Sequence, residues 1–582
     1  MQIKPVAEVL APEGLAAPTL NALVPNESNY TVLLMQPHGE IDASAAGVRN
    51  RDRDLAKNQF GRLLDAARET LADLVVTPEY SMPWEVLIEA LKKSIVPAEG
   101  KLWALGCESI TYSELEQVKQ GLAPFATMIY ETLPADEEKF TDPLAYVFLA
   151  PPADGNGAGK IVVLVQFKTY PMGDNDHFEI NGLQRGTRVY QFGVVGQSIK
   201  LVSLICSDAL DFQDADAGVV YDRALVVHIQ LTRKPRQEQY RQYRDRLLRF
   251  HGDTTEILCL NWAKDVHVWC DGQTTPWNNI SGSAWYLKLQ AYDDRDATLS
   301  ANHQRGLYYT WLQPLRTHAL FFNFEPATYL VTTSKVAHIG VPAAVSRRRG
   351  PQLTRVCTWD SASGAWVEQG SAQDGFAAVV GESGNAKDEI QKVSVRNPLE
   401  AERVLALCSG RIGHADDWHG VRQLDSCAID LSEVIRRITF CQDTNEDARD
   451  FRVERLKRCG NLWDILKTEA KVPSSLADFK QGFSFEWSAD FPHQNAISSG
   501  GQRATVIYMG EGYSVQRVKE IKKTAAEYLH RSVKDPKESL SVRQRLAVWY
   551  RDGGEVTLCE PHEYLQIDQT GDTSEFDIGR EK

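Results

Sequence analysis

The sequence has little of what membrane and secreted proteins need. None of its apolar runs approaches the length of about 20 residues that spans a bilayer. Pro5 and Pro12 interrupt the N-terminal segment, which has no continuous apolar stretch of the kind found in a signal peptide. The 10 cysteines are scattered without regular spacing, and this favours reduced thiols over a disulfide framework. We therefore expect a cytoplasmic protein with no membrane partner.

An excess of basic residues is also missing. The chain has 64 Lys and Arg against 78 Asp and Glu, a formal net charge of −14 and an isoelectric point near 5.5. Because nucleic-acid binding needs basic surface to neutralise phosphates, we do not expect a nucleic-acid partner. With 43% hydrophobic and 24% charged residues, the 582-residue chain is ordinary globular material for two or three domains.

The clearest candidate for a metal site is incomplete. Cys408, His414, His419 and Cys427 lie within 20 residues, and the histidines have a spacing that zinc sites use. No closely spaced cysteine pair accompanies them, so we expect helix and loop residues instead of ligands. The Arg-rich stretch 236–249 could bind phosphate, but a solvated or interface helix face fits it better. We expect neither a metal nor a cofactor.

Three apolar, β-branched segments end in a reactive side chain. They are VVTPEYSMP with Glu79, VLVQFKTYP with Lys168, and VSLICSDAL with Cys206. Short runs of this kind predict buried strands, over Leu74–Thr77, Ile161–Phe167 and Leu201–Ile205. Taken singly, each could be a structural strand that merely ends in a polar residue. Together they place an acid, a cation and a thiol at strand ends, where open α/β sheets carry their chemistry.

These three residue types match the needs of a cysteine nucleophile. A thiol requires a base to become a thiolate, and the negative charge that develops on the substrate requires a cation. Glu79, Lys168 and Cys206 supply the base, the cation and the nucleophile. We predict that their side-chain polar atoms lie within about 5 Å of one another.

The order of these motifs resembles the nitrilase (carbon–nitrogen hydrolase) superfamily over residues of roughly 28 to 330. Pro78-Glu79, the Lys168 segment and Ile205-Cys206-Ser207-Asp208 are similar to its three motifs. Further matching positions are Glu179 in FEINGLQRG, Asn261, and the segment Ser281-Gly282-Ser283. Ser207 stands where the family usually has a bulky aromatic residue, and the Phe-Pro-Glu that often follows the nucleophile is absent. These departures bear on the substrate more than on the chemistry.

The resemblance implies a four-layer αββα sandwich and an amidase or nitrilase acting on a small-molecule amide or nitrile. Cys206 would form a thioester, Glu79 would act as base, and Lys168 with the Ser207 N–H would bind the oxyanion. Glu179 would orient the nitrogen, and Ser207 and Asn261 would contact substrate. His177 is either a pocket residue or a surface loop histidine. The family commonly forms homodimers, and residues 211–250 fall on the matching helices.

Strands and helices alternate from Thr31 to Phe324, which predicts an α/β fold with helices covering the sheets. Predicted helices include Asp54–Ala72, with an apolar face that runs to Leu71, and Asp211–Val219. We expect domains at 1–340 and 396–582, joined by an extension and linker at 341–395. The C-terminal domain is expected to be α+β or mostly helical, with further helices at Leu431–Cys441 and Ala448–Cys459 among others.

Two other functions stay open. One is a binding or regulatory module that keeps the fold to sense a metabolite, although a sensor has no need of a complete Glu-Lys-Cys set. The other is an effector subunit of a multi-protein bacterial system such as phage defence, in which the C-terminal domain binds a protein partner. The second rests on analogy with nitrilase-like domains in larger assemblies.

Overall fold

The structure is a computed structural model of the chain. It describes all residues except 135, 137, 174–177, 195–197, 234–237, 250–253, 264–265, 271, 277–282, 289–300, 303–304, 313–316, 324, 340–349, 371–378, 397, 411–445, 469–470, 489, 534–535 and 561–582. The described residues form a mixed α/β structure that divides into two compact units. Unit 1 extends to Ala372, and unit 2 contains the described residues after it.

Unit 1 contains most of the strands. Its strands are β1 (Gln2–Pro5), β2 (Tyr30–Gln36), β3 (Glu40–Ser44), β4 (Gly47–Asn50), β5 (Leu74–Met82), β6 (Leu102–Cys107), β7 (Ile110–Thr111), β8 (Thr127–Tyr130), β9 (Phe140–Thr141), β10 (Pro143–Ala150), β11 (Lys160–Phe167), β12 (Arg188–Phe192), β13 (Lys200–Ile205), β14 (Ala224–Ile229), β15 (Thr255–Leu260), β16 (His267–Cys270), β17 (Gln273–Pro276), β18 (Ala284–Leu287), β19 (Leu307–Leu312), β20 (Thr317–Phe322), β21 (Ala327–Thr333), β22 (Gln352–Asp360) and β23 (Ala365–Glu368). Its α-helices are α1 (Val6–Leu10), α2 (Arg53–Thr70), α3 (Trp84–Lys92), α4 (Tyr112–Leu122), α5 (Phe178–Gly182), α6 (Asp208–Asp211), α7 (Asp214–Val220) and α8 (Glu238–Arg249).

Two large sheets organise unit 1. Within the described residues, sheet one has the strand order β1-β12-β13-β14-β15-β18-β20-β19, and sheet two has the order β23-β22-β21-β2-β5-β6-β10-β11-β8. Side chains connect the two sheets. Gln166 on β11 donates to the Ser203 carbonyl on β13 at 3.0 Å, and Tyr146 on β10 packs edge-on against Phe192 on β12.

Strand direction places the reactive residues at one edge of each sheet. In sheet one, β13, β14 and β15 are parallel, so their carboxyl ends lie together. In sheet two, β5 and β6 are parallel, and the start of the antiparallel β10 lies beside the end of β11. The strands are buried along nearly their whole length because Val, Leu and Ile fill both faces.

The segment that carries Glu79 differs from the predicted strand. Strand β5 continues to Met82, but its pairing with β6 is interrupted between Thr77 and Met82. The interruption is possible because Gly106 on β6 has no side chain. A Cβ added there would lie 2.1 Å from the carbonyl oxygen of Pro78. The backbone beside Glu79 therefore occupies the space that a side chain at position 106 would fill.

Three other expectations require correction. Helix α2 ends at Thr70, and Leu71 is left-handed and 56% exposed, so it lies outside the apolar face. The predicted helix Asp211–Val219 is two helices, α6 and α7, because Phe212 is extended between them. The change of unit follows Ala372 and not residue 340, because β22 and β23 pair with β21 as part of sheet two.

Unit 2 has its own sheet and helices. Its strands are β24 (Phe483–Phe485), β25 (Ala496–Ser498), β26 (Arg503–Tyr508), β27 (Leu546–Asp552) and β28 (Glu555–Leu558), and its α-helices are α9 (Lys387–Arg396), α10 (Pro398–Cys408), α11 (Glu446–Lys467), α12 (Val515–Ser532) and α13 (Pro536–Gln544). Helix α12 packs its apolar face on β26 and β27. The predicted helix Leu431–Cys441, and His414, His419 and Cys427, lie outside the described residues.

None of the helices in the described part of the chain combines the length and the apolar character that crossing a membrane requires.

We predict that Gly106→Ala destabilises unit 1 by about 1–3 kcal/mol, because the new methyl group would displace the Pro78 carbonyl. Gly61→Ala, in helix α2, is the matched control. A Cβ at Gly61 meets nothing within 4 Å, and the change should stabilise the helix by about 0.5–1 kcal/mol. Urea unfolding of both variants checks the prediction, and equal stabilities would contradict it.

Candidate active site

The candidate site is a buried cluster at the ends of strands from both large sheets. Glu79 lies on β5, Lys168 directly follows β11, and Cys206 directly follows β13. Leu231 and Asn261 come shortly after β14 and directly after β15, at the same edge of sheet one. Glu79, Lys168 and Cys206 are all 1% exposed or less.

Lys168 is the centre of the cluster. Its Nζ donates to Glu79 Oε1 and to Glu179 Oε1, both at 2.7 Å. A third acid, Asp142, places Oδ2 at 3.5 Å from the same nitrogen. Burial lowers the pKa of Lys168, but the carboxylates of Glu179 and Glu79 outweigh burial and hold it well above its usual range. Lys168 is therefore an ammonium ion at neutral pH.

Glu79 and Glu179 are both held by further donors. Glu79 Oε2 accepts the Leu231 N–H at 2.6 Å. Glu179 Oε1 also accepts the Tyr80 hydroxyl at 2.9 Å, and its Oε2 accepts the Met172 N–H at 2.6 Å. These contacts leave little rotational freedom to either carboxylate. Burial, and then the Glu179 carboxylate, raise the pKa of Glu79 despite the opposing Lys168 ammonium. A raised pKa suits a carboxylate that must accept a proton near neutral pH.

Cys206 has a strained backbone. Its φ is +40°, a left-handed value that is rare for a residue with a side chain. Its N–H donates to the Ile229 carbonyl at 2.8 Å, and His228 Nε2 donates to its carbonyl oxygen at 2.9 Å. Burial lowers the pKa of His228 to about 3, so the ring is neutral and its Nδ1 accepts from the Tyr243 hydroxyl at 2.6 Å. The surrounding residues thus fix the sharp turn at the thiol.

Asp208 joins the turn at Cys206 to the turn at Lys168. Its Oδ1 accepts the N–H groups of Thr169 and Tyr170, and its Oδ2 accepts the Ile205 N–H at 3.1 Å. One carboxyl group therefore sets the spacing between the cation and the thiol. Its place two residues after Cys206 is a positional requirement of the turn.

The thiol of Cys206 interacts electrostatically with Glu79, Lys168 and Glu179. Its Sγ also lies 3.1 Å from the hydroxyl of Tyr240 on helix α8. Burial, and then the Glu79 carboxylate, raise the pKa of Cys206, whereas Lys168 and the Tyr240 hydrogen bond lower it. The net shift is upward, so the resting group is a thiol that needs a base.

The residues predicted to bind substrate are found in different settings. Ser207 is buried, and its Oγ donates to the Tyr170 carbonyl at 2.6 Å. Asn261 clamps Thr232, accepting its N–H at 3.1 Å and donating to its carbonyl at 2.7 Å. Both side chains therefore hold the loops around the site, and their contact with substrate stays a prediction. His177 lies outside the described residues.

Sequence reasoning missed several residues of the site. Asp142, Tyr80, Tyr240 and His228 carried no motif of their own. Asp142 precedes β10 in the sequence Thr-Asp-Pro, and only the antiparallel pairing of β10 with β11 brings it beside Lys168. The view of stretch 236–249 as a solvated or interface face is wrong for Arg244, which is fully buried and lies over the Tyr286 ring at 5.0 Å.

The acids of the cluster do not form a cation site. One oxygen each of Glu79, Asp142 and Glu179 lies within 4.8 Å of the other two. The ammonium group of Lys168 already lies among them, at 2.7 Å from Glu79 and Glu179 and at 3.5 Å from Asp142. A metal ion would have to displace that buried positive charge.

Comparisons with known proteins found matches only among solved structures. No protein-family model matches the chain, and no curated protein does. The chain is similar to an amidase from Nesterenkonia sp., with 14% identity over 45% of this chain and 84% of that chain and a TM-score of 0.26. A variant of that amidase from the nitrilase superfamily gives the same values.

A second type of match is the glutamine-dependent NAD+ synthetase from Acinetobacter baumannii. It has 12% identity over 78% of this chain and 70% of that chain, with a TM-score of 0.28.

We predict that Tyr240→Phe slows alkylation of Cys206 by iodoacetamide about threefold to tenfold at pH 8. Removing the hydroxyl deletes a hydrogen bond that lowers the pKa of the thiol. Tyr146→Phe is the control, because it removes another buried hydroxyl, bonded to Gln166 at 3.2 Å, away from the thiol. Mass-spectrometric labelling rates provide the measurement. Equal slowing in both variants would refute a direct effect on Cys206.

Proposed function

We propose that the protein is a carbon–nitrogen hydrolase that cleaves a small amide or nitrile through a thioester on Cys206. One observation carries the proposal. A buried ammonium, Lys168, is shared by two buried carboxylates, Glu79 and Glu179, and interacts with a buried thiol at a strained strand end. Buried charges are costly unless they are paired, and such clusters are concentrated at functional sites.

The first step uses the base and the cation. Glu79 accepts the thiol proton while Cys206 Sγ bonds to the substrate carbon, and the carbonyl electron pair moves onto oxygen. The resulting oxyanion is stabilised by Lys168 and the backbone N–H of Ser207. Because Lys168 is already fixed by two carboxylates, it needs no reorganisation when the charge appears.

The second step returns the proton. The oxyanion collapses, the C–N bond breaks, and Glu79 protonates the leaving nitrogen, which departs as ammonia or an amine. A thioester remains on Cys206. Water then attacks the thioester carbon, Glu79 takes the water proton, and the regenerated thiolate recovers that proton as the acid product leaves. With a nitrile, the thiol would add across the C≡N bond to give a thioimidate, which takes up one water and loses ammonia to give the same thioester.

Glu179 contributes through position. It binds Lys168 and Tyr80 through Oε1 and the Met172 N–H through Oε2, so the orientation of its carboxyl group is fixed. Its carboxylate can orient a substrate amide N–H or the attacking water. This role is consistent with its separation from Glu79 by the Lys168 ammonium, which keeps the two carboxylates apart.

The wider assembly belongs to the same proposal. We propose that the two large sheets and the helices form a four-layer αββα sandwich. We also propose that the chain forms an isologous homodimer through residues 211–250. Unit 2 would bind a protein partner or regulate access to the site, and the protein would act in the cytoplasm. A light-scattering mass equal to one chain at micromolar concentration would remove the dimer from this proposal.

We expect Cys206→Ala to abolish turnover of small amides and nitriles, by at least about 1,000-fold, while the protein remains folded. The direct measurement is intact mass after brief incubation with a panel of such compounds. An acyl adduct should appear on the wild type and on Cys357→Ala, and be absent from Cys206→Ala. Cys357 is a half-buried thiol on β22 and controls for nonspecific labelling.

Two outcomes would contradict the proposal. An adduct that persists in Cys206→Ala would place the nucleophile elsewhere. Measurable binding of an amide without an adduct or product would favour the sensing module over the enzyme.

A further inference from the structure

Asp142 is the one member of the cluster whose carboxyl is poorly bound. Its side chain is fully buried, directly before β10. Neither of its carboxyl oxygens accepts a hydrogen bond from an N–H or O–H group in the part of the chain that the structure describes, and its side-chain hydrogen-bond neighbour is another carboxyl, that of Glu79. Lys168 Nζ approaches Oδ2 at 3.5 Å without forming one. A buried carboxylate without donors is costly, so its state needs an explanation.

The charges in the cluster limit how many of its carboxyl groups can be ionised together. Glu79, Asp142 and Glu179 each place one oxygen within 4.8 Å of the other two, and all three are at most 3% exposed. Lys168 is the ammonium ion they share. Three ionised carboxylates around one ammonium would leave two uncompensated negative charges in a buried space. Such a cluster retains a proton, as like charges at this separation do not all ionise.

The three acids differ in the number of hydrogen-bond donors that surround them. Glu79 accepts from Lys168 and from the Leu231 N–H. Glu179 accepts from Lys168, the Tyr80 hydroxyl and the Met172 N–H. Hydrogen bonds from such donors favour the ionised form, and Asp142 has none of them. The proton is therefore best placed on Asp142.

We propose that Asp142 is a positioning residue that stays protonated at neutral pH and donates its hydroxyl hydrogen to Glu79. The donated hydrogen bond holds Glu79 ionised and oriented toward the thiol of Cys206. The catalytic part of this inference rests on the proposed function, whereas the protonation of Asp142 rests on the geometry of the cluster.

The electrostatics agree with this assignment. Burial raises the pKa of Asp142 well above its usual range, the Glu79 carboxylate raises it further, and Lys168 opposes both. The ionisable groups that face Asp142 come from several elements, namely Glu79 and Tyr80 on β5, Cys107 on β6, Lys168 after β11 and Glu179 on α5.

The stability of Asp142→Asn tests the protonation without reference to catalysis. A carboxyl whose pKa is raised by folding contributes stability that is complete below its unfolded pKa, near 3.9, and is lost as pH rises toward the folded pKa. Asparagine does not titrate and offers an N–H in place of the O–H. Between pH 5 and 8, the unfolding equilibrium constant of the wild type relative to D142N should therefore rise about tenfold per pH unit, until the folded pKa is reached.

Asp73→Asn is the matched control. Asp73 is also buried, but it pairs with Lys101 and accepts the Thr31 N–H, and its pKa is lowered. Its stabilising effect is present above the unfolded pKa, so the D73N deficit should stay constant from pH 6 to 8. A constant difference between wild type and D142N over the same range would overturn the proposal. Failure of D142N to fold would also overturn it, because a neutral isostere should be accepted.

Activity separates the positioning role from the proposed function. On an amide that the wild type hydrolyses, D142N should retain the pH profile of the wild type, because its side-chain N–H can donate to Glu79 in place of the O–H. Asp142→Leu, which has no donor, should shift the acidic limb of the pH profile upward because Glu79 loses its hydrogen bond. Identical pH profiles for the three proteins would refute the role toward Glu79. If no protein, wild type included, turns over any amide or nitrile, the proposed function fails and the stability result still decides the protonation.

Discussion

The pairing of Lys168 with Glu79 and Glu179 is the interaction on which the rest of the site depends. An ammonium ion with no exposed surface is stable only if carboxylates lie against it, and each of these carboxylates needs the ammonium in return. The three side chains come from β5, the end of β11 and α5. The ion pairs therefore hold three distant segments of the chain together. Removal of one of the three side chains would leave the other charges buried without compensation.

A second constraint is the backbone at Cys206, which depends on elements of sheet one. A left-handed φ persists in a residue with a side chain only when its surroundings over-determine it. Neutral His228 binds the Cys206 carbonyl, and Asp208 binds the N–H groups of Ile205 and Thr169. Asp208 thereby couples the turn after β13 to the turn after β11. The buried carboxyl of Asp208 therefore fixes the position of the thiol relative to the cation.

The sequence was sufficient to predict residues whose position depends on their own strand. Glu79, Lys168 and Cys206 follow apolar runs, and an apolar run that ends in a reactive residue is visible in one dimension. Asp142 and Tyr240 could not be predicted from the sequence, because their positions depend on how their own elements pair and pack with other elements of the fold. Asp142 reaches the cluster through antiparallel pairing of its strand, and Tyr240 through the face that helix α8 turns inward. The boundary expected near residue 340 failed for the same reason, since strand pairing and not composition attaches β22 to sheet two.

Proton placement connects the geometry to the chemistry. In the resting state that we propose, Lys168 is positive, Glu79 and Glu179 are negative, and Asp142 and Cys206 are neutral. Transfer of the thiol proton to Glu79 moves one negative charge to sulfur without changing the net charge of the cluster. In a buried site of low dielectric constant, moving charge within a fixed total costs far less than creating it. A third ionised carboxyl would raise the cost of forming the thiolate, because its charge would oppose the anion at sulfur. A neutral Asp142 is thus a condition for the nucleophile to form, and this explains why an acid can lie so close to the thiol's base.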